Sequence, residues 1–156
     1  MAHNLLLGHG KAVRVYRELG LKGRIGLSQN MTPMYPASDR EADVSAARRC
    51  DGYWNRWFND PIFKGEYPQD ILDWYKTRVV LPEMTEEDME IIATPVDFLG
   101  LNNYFGSKVK WDETKWPLQL SESFIGEYRT AMGWGVNPEC FYDLLKRLGS
   151  DYPGVK

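Results

Sequence analysis

Along the first twenty residues, apolar side chains recur near every 3.6 positions: Leu5, Leu6, Ala12, Val13, Tyr16 and Leu19. That period predicts a helix over residues 2–19, with Gly20 where a C-terminal cap belongs. The run GRIGLSQ at 23–29 is extended in character but diluted by glycine. Residues 30–37 hold Pro33 and Pro36, which donate no backbone hydrogen bond, and predict a loop. Ser38 and Glu41 have the spacing of a capping box and predict a helix running to about Phe58. Its inner stripe would be Val44, Ala47, Trp54 and Phe58, with Arg48, Asp51 and Asn55 turned away, and Asn59-Asp60-Pro61 would stop it. Pro68 suits the first turn of a short helix through Tyr75, and Thr85 with Asp88 starts another ending near Ile92. The run DFLGLNNY at 97–104, apolar first and polar last, predicts a second strand. A long stretch without a strong period follows. The last helix is predicted from near Pro138 to Leu148, with Phe141, Leu144, Leu145 and Leu148 facing inward, before a turn at Tyr152-Pro153-Gly154.

Helix, strand, helices, strand, loop, helix is the alternation of a parallel β/α protein. Two strands cannot close a barrel, and a parallel sheet needs both faces covered. The chain therefore reads as one segment, 1–156, of something larger. Composition adds little: 43% hydrophobic and 26% charged residues place it among soluble globular proteins. The 13% aromatic share suits a sugar-stacking surface and a large core alike. A net charge of −3 leaves no basic surplus to neutralise phosphates, so no nucleic-acid partner is expected. No apolar run approaches the roughly 20 residues that span a bilayer, and no membrane partner is expected. Cys50 and Cys140 are unclustered thiols that suit a reducing cytoplasm, and no signal peptide is visible. His3 and His9, six apart, share no helix face, so neither a metal nor a cofactor is expected.

The block ARRCDGYWNRWFNDPIFKGEYP at 47–68 resembles the family 1 glycoside hydrolases, the β-glucosidases and their relatives. The likeness continues through HNLLLGHGKA at 3–12, PVDFLGLNNY at 95–104, MGW at 132–134 and Pro138. It implies an α/β fold, a partial TIM (β/α)8 barrel comprising about helix 4, strand 5, helix 5, strand 6 and helix 6. The implied activity of the complete barrel is hydrolysis of terminal β-D-glucosyl residues by double displacement, with retention. In the family, an Asn-Glu-Pro motif after the fourth strand carries the acid/base carboxylate, and a Thr-Glu-Asn-Gly motif after the seventh carries the nucleophile. Neither motif occurs here, so no catalytic residue is assigned and the isolated chain is expected to be inactive. Asn137-Pro138-Glu139 has the letters of the first motif scrambled, but its position is that of a helix start, and Glu139 reads as a first-turn acid.

What the resemblance leaves to this segment is support. Tyr104 matches the tyrosine whose hydroxyl hydrogen-bonds the nucleophile, and Asn102 an asparagine supporting the same site. Trp134 matches the aromatic that stacks on the leaving group, with Asn30 lining that outer subsite. Asn103 departs from the pattern, since many relatives carry Tyr or His there. Trp54, Trp57 and Phe58 read as core. The implied partners are a β-glucoside or oligosaccharide substrate in the complete enzyme and the remaining barrel segments. The alternative is a self-associating structural fragment or a weak carbohydrate-binding module. Association of the chain alone is expected through Ile25, Leu27, Phe98, Leu99 and Leu101.

Overall fold

The structure is a computed structural model describing residues 1–155. In chain order its elements are α1 (Ala2–Glu18), β1 (Gly26–Asn30), β2 (Met34–Pro36), α2 (Glu41–Asp51), a π-helical turn (Gly52–Arg56), α3 (Trp57–Lys64), α4 (Gln69–Lys76), α5 (Glu86–Ile92), β3 (Phe98–Asn102), β4 (Ser107–Trp111), β5 (Leu120–Phe124) and α6 (Pro138–Asp151). The described residues form an α/β fold of two small sheets, β1-β3 and β2-β4-β5, with no closed barrel. The chain divides into two compact units. One holds residues 1–29, 56–101 and 154–155, and the other holds 30–55 and 102–153.

In the first unit α1 ends as predicted, with Gly20 at φ +65, but its buried seam is His3, Leu6, Gly10 and Val13. Of the expected stripe, Leu5 and Leu19 are 67% and 68% exposed. Gly10 explains the shift. A Cβ there would lie 2.0 Å from the Ile91 carbonyl oxygen, so α1 and α5 meet backbone to backbone at a residue that a hydrophobicity pattern ignores. His3 is buried because both ring nitrogens are served: Nδ1 lies 2.9 Å from the Tyr67 hydroxyl and Nε2 3.2 Å from Asp88 Oδ2. Asp88 also completes the predicted capping box with Thr85. The Trp57 ring packs 4.6 Å from Tyr67 and 5.3 Å from Tyr75, as core.

Asn59-Asp60-Pro61 does not stop the helix. α3 continues to Lys64 with Pro61 inside, and Gly65 at φ 73 ends it. Pro61 follows closely on the π turn, where the regular bonding ladder is already interrupted, so its missing donor costs less than in a regular interior. β1 and β3 run parallel: Asp97 N–H donates to the Ile25 carbonyl at one end and Met31 N–H to the Asn102 carbonyl at the other. Asp97 is anchored in turn by Arg17 at 2.7 Å. No residue of either strand is buried.

The second unit overturns the expected strand count. The predicted loop at 30–37 contains β2, and the stretch without a period contains the antiparallel hairpin β4-β5, on which β2 pairs in parallel. α2 covers this sheet through Ala46, Ala47 and Cys50 against Val109 and Leu120. Its predicted capping box is absent: Arg40 is the N-cap, and Ser38 Oγ donates to Asp43 Oδ2 at 2.5 Å instead. The expected inner stripe is likewise displaced. Val44 and Trp54 are 46% and 44% exposed, while Asp43, Asp51 and Asn55 are buried. Small residues let the helix approach the sheet closely, and the polar residues beside them are buried because each has partners. α6 begins as predicted, with the Asn137 side chain accepting from Cys140 N–H and Pro138 in the first turn. It buries Cys140 and Leu144 but leaves Phe141 and Leu145 outward.

Candidate functional site

β3 delivers its polar end into the second unit, and the four predicted site residues can be placed there one by one. Asn102 closes the strand, exposed, its carbonyl accepting from Met31 N–H at 2.9 Å. Two residues on, Tyr104 is 55% exposed and its ring centroid lies 5.4 Å from that of Trp134. Trp134 is presented by a tight turn: Thr130 N–H donates to its carbonyl at 2.9 Å, and its own N–H donates to Thr130 Oγ1 at 3.2 Å. Gly133, at φ +79, supplies the left-handed residue this turn requires. Phe105 extends the cluster, 5.7 Å from Trp134 and 4.6 Å from Phe124. Residues thirty apart in sequence thus form one aromatic surface, with the Tyr104 ring half open to solvent.

Asn30, the fourth predicted residue, is exposed and lines a neighbouring cavity of about 500 Å³ with Thr32, Trp54, Phe105, Glu122 and Phe124. Phe105 belongs to both the cavity wall and the ring cluster. Trp54, expected in the core, instead donates its indole N–H to Glu122 Oε1 at 3.3 Å. Glu122 and Phe124 could not be singled out beforehand, because their strand had not been recognised. The alternation Ser107-Lys108-Val109-Lys110, buried and exposed by turns, signals only the partner strand β4, whereas β5 itself shows no such alternation. Burial, with Glu122 as a nearby negative partner, pushes the Cys50 thiol pKa well up, which disfavours the thiolate.

Asn103 has a structural task. Its Nδ2 donates to the Met31 carbonyl at 2.9 Å and the Phe105 carbonyl at 3.1 Å, tying together the segments that follow β1 and β3. Glu139 sits in the first turn of α6, as expected. The described residues contain no cluster of three or more side chains suited to a metal ion, and no helix long and apolar enough to cross a membrane. The rings and amides gathered here can stack against a ligand and exchange hydrogen bonds with it.

Comparison with known proteins agrees with the motifs. Residues 1–156 match the model of a family described as glycosyl hydrolase family 1. Beta-glucosidase A of Acetivibrio thermocellus is 38% identical over 154 residues, covering 97% of this chain and 34% of that protein. Among solved structures, a β-glucosidase from Exiguobacterium marinum superposes with a TM-score of 0.90 at 37% identity, covering 98% of this chain and 35% of that one. A family 1 β-glucosidase from Thermotoga maritima superposes at 0.87 with 38% identity, covering 97% and 34%. The chain spans about a third of the length of the relatives it matches.

Proposed function

The chain belongs to glycosyl hydrolase family 1, and we propose that it is the supporting third of a retaining β-glucosidase site whose reacting carboxylates lie on other segments. The observation that carries this reading is the Tyr104–Trp134 pair, 5.4 Å apart just beyond β3. Barrel enzymes place their working residues beyond the C-terminal ends of strands. In the complete barrel α1, β1, the α2–α3 region, β3 and α6 act as helix 4, strand 5, helix 5, strand 6 and helix 6.

Retaining hydrolysis passes through a glycosyl-enzyme intermediate, formed by one carboxylate about 5 Å from a second that protonates the leaving oxygen. Tyr104, with its half-open ring, donates its hydroxyl to the nucleophile, holding it ionised and aimed at the anomeric carbon. Asn102 supports the same carboxylate. Trp134 offers an indole face to the leaving group, and Asn30 supplies an amide at the cavity wall on that side. The substrate is a β-glucoside or a β-linked oligosaccharide.

Two measurements test this. The isolated chain should hydrolyse an aryl β-glucoside no faster than the uncatalysed rate. A chimera in which residues 1–156 replace the matching third of the Thermotoga maritima relative should hydrolyse it with retention. Turnover by the isolated chain that Glu139→Gln abolishes would overturn the assignment. So would a folded chimera without activity.

A further inference from the structure

We infer that Asn55 is a positioning residue that fixes the segment carrying Asn30 and Thr32, and that Arg147 sets its orientation through Asp51. Asn55 lies in the π-helical turn and is fully buried. Its Nδ2 donates to the Thr32 carbonyl at 2.8 Å, and its Oδ1 accepts from Thr32 N–H at 3.1 Å. One amide thus satisfies both backbone groups of one residue, as a neighbouring strand would. The second Nδ2 hydrogen goes to Asp51 Oδ1 at 2.8 Å. That acceptor makes the amide orientation unique: turned over, Oδ1 would face both the Asp51 carboxylate and the Thr32 carbonyl. Asp51 is gripped in its turn by both terminal nitrogens of Arg147, Nη2 at 2.9 Å, while Arg147 Nε donates to Asp151 at 2.8 Å.

On the other side of the segment, Met31 N–H and carbonyl are held by the Asn102 carbonyl and the Asn103 amide. Met31 and Thr32 are therefore fixed through four backbone bonds, two of them from Asn55. Asn30 and Thr32, two apart, both line the 500 Å³ cavity. Asn55 does not itself line that cavity, and its hydrogen bonds reach the lining at Thr32, so its influence on a ligand runs through this backbone. A π turn is rare and tends to mark functional places. Here the turn carries Asn55, the clamp, and Trp54, a wall of the same cavity.

The consequence for turnover rests on the glycosidase reading above, whereas the clamp does not, and the chimera separates them. In Asn55→Ala, hydrogen exchange of the peptide spanning Thr32 should accelerate about tenfold or more, as one protecting bond and its support are lost. The ratio of kcat/KM for a β-linked glucose disaccharide to that for a small-leaving-group aryl glucoside should fall by about tenfold, mainly through KM. Should Asn55→Ala not fold, Arg147→Lys, which gives up the two-pronged grip on Asp51, should shift both readouts in the same direction by a smaller factor. Unchanged exchange at Thr32 in folded variants would overturn the clamp. Faster exchange with an unchanged specificity ratio would reduce Asn55 to scaffold and overturn its positioning role. A folded but inactive chimera would count against the glycosidase reading alone, with exchange still deciding the clamp.

Discussion

A phenol that donates to a charged carboxylate contributes about 1.5–3 kcal/mol, and that magnitude makes Tyr104 testable by removing one oxygen. In the active chimera, Tyr104→Phe should slow formation of the glycosyl-enzyme by roughly ten- to a hundredfold, read as the burst phase with an activated aryl glucoside. The ring packing on Trp134 is kept in this variant, so folding should be unaffected. Trp134→Ala removes the ring instead, and should compress the difference in KM between bulky and small leaving groups. An unchanged rate in both variants would make the pair scaffold. Short motifs single these two residues out, and the fold brings their rings to 5.4 Å. Asn55 is not singled out in this way, since nothing in a hydrophobicity pattern distinguishes a buried amide with three partners from a solvated one. The sequence pattern put it on the outer face of its helix, and its hydrogen bonds put it inside.

One carboxylate sets much of how α2 meets its sheet. Asp43 accepts from Ser38 Oγ at 2.5 Å, from Trp111 N–H at 2.9 Å and from Arg40, joining the start of α2 to the end of β4. The Ser38 and Trp111 hydrogen bonds hold its pKa at about 2, below the ordinary 3.8. A depressed carboxylate contributes stability that is fully present above its unfolded value and fades as pH falls through the folded one. Asp43→Asn should therefore melt below the parent chain at pH 5, with the gap narrowing between about pH 4 and pH 2. A gap independent of pH, followed by circular dichroism, would mean the side chain acts by shape alone. The same contacts show why the start of α2 was misread: the Ser38 hydroxyl was expected on the helix's own backbone, and the Asp43 side chain took it. Elements read correctly, α1, α4, α5, β3 and α6, have a strong period or a punctuating residue such as Gly20, Pro68, Thr85 or Pro138. The three missed strands are short, and β2 carries a proline that its pairing with β4 tolerates at the strand end.

At the scale of the whole chain, the two sheets differ in how they are covered. β2-β4-β5 has α2 on it and buries Ser107, Val109 and Leu120. β1-β3 buries none of its residues: Leu27, Phe98, Leu99 and Leu101 are all only half-buried in a parallel pair, an arrangement that ordinarily has both faces covered. Its strands also keep outer edges whose backbone groups can template another strand. In the barrel proposed above, neighbouring strands and the barrel interior would supply that cover. Alone in solution the chain should find it in further copies of itself, because exposed apolar surface is lost on association. Light scattering over a roughly hundredfold dilution should show the average mass falling with concentration, as mass action requires. Leu27→Lys and Leu101→Lys, which place charge on this sheet, should move the chain toward the monomer. A monomer at every concentration, with sharp amide dispersion and no response to either lysine, would show that the half-buried sheet is adequately covered within one chain and would sink the prediction.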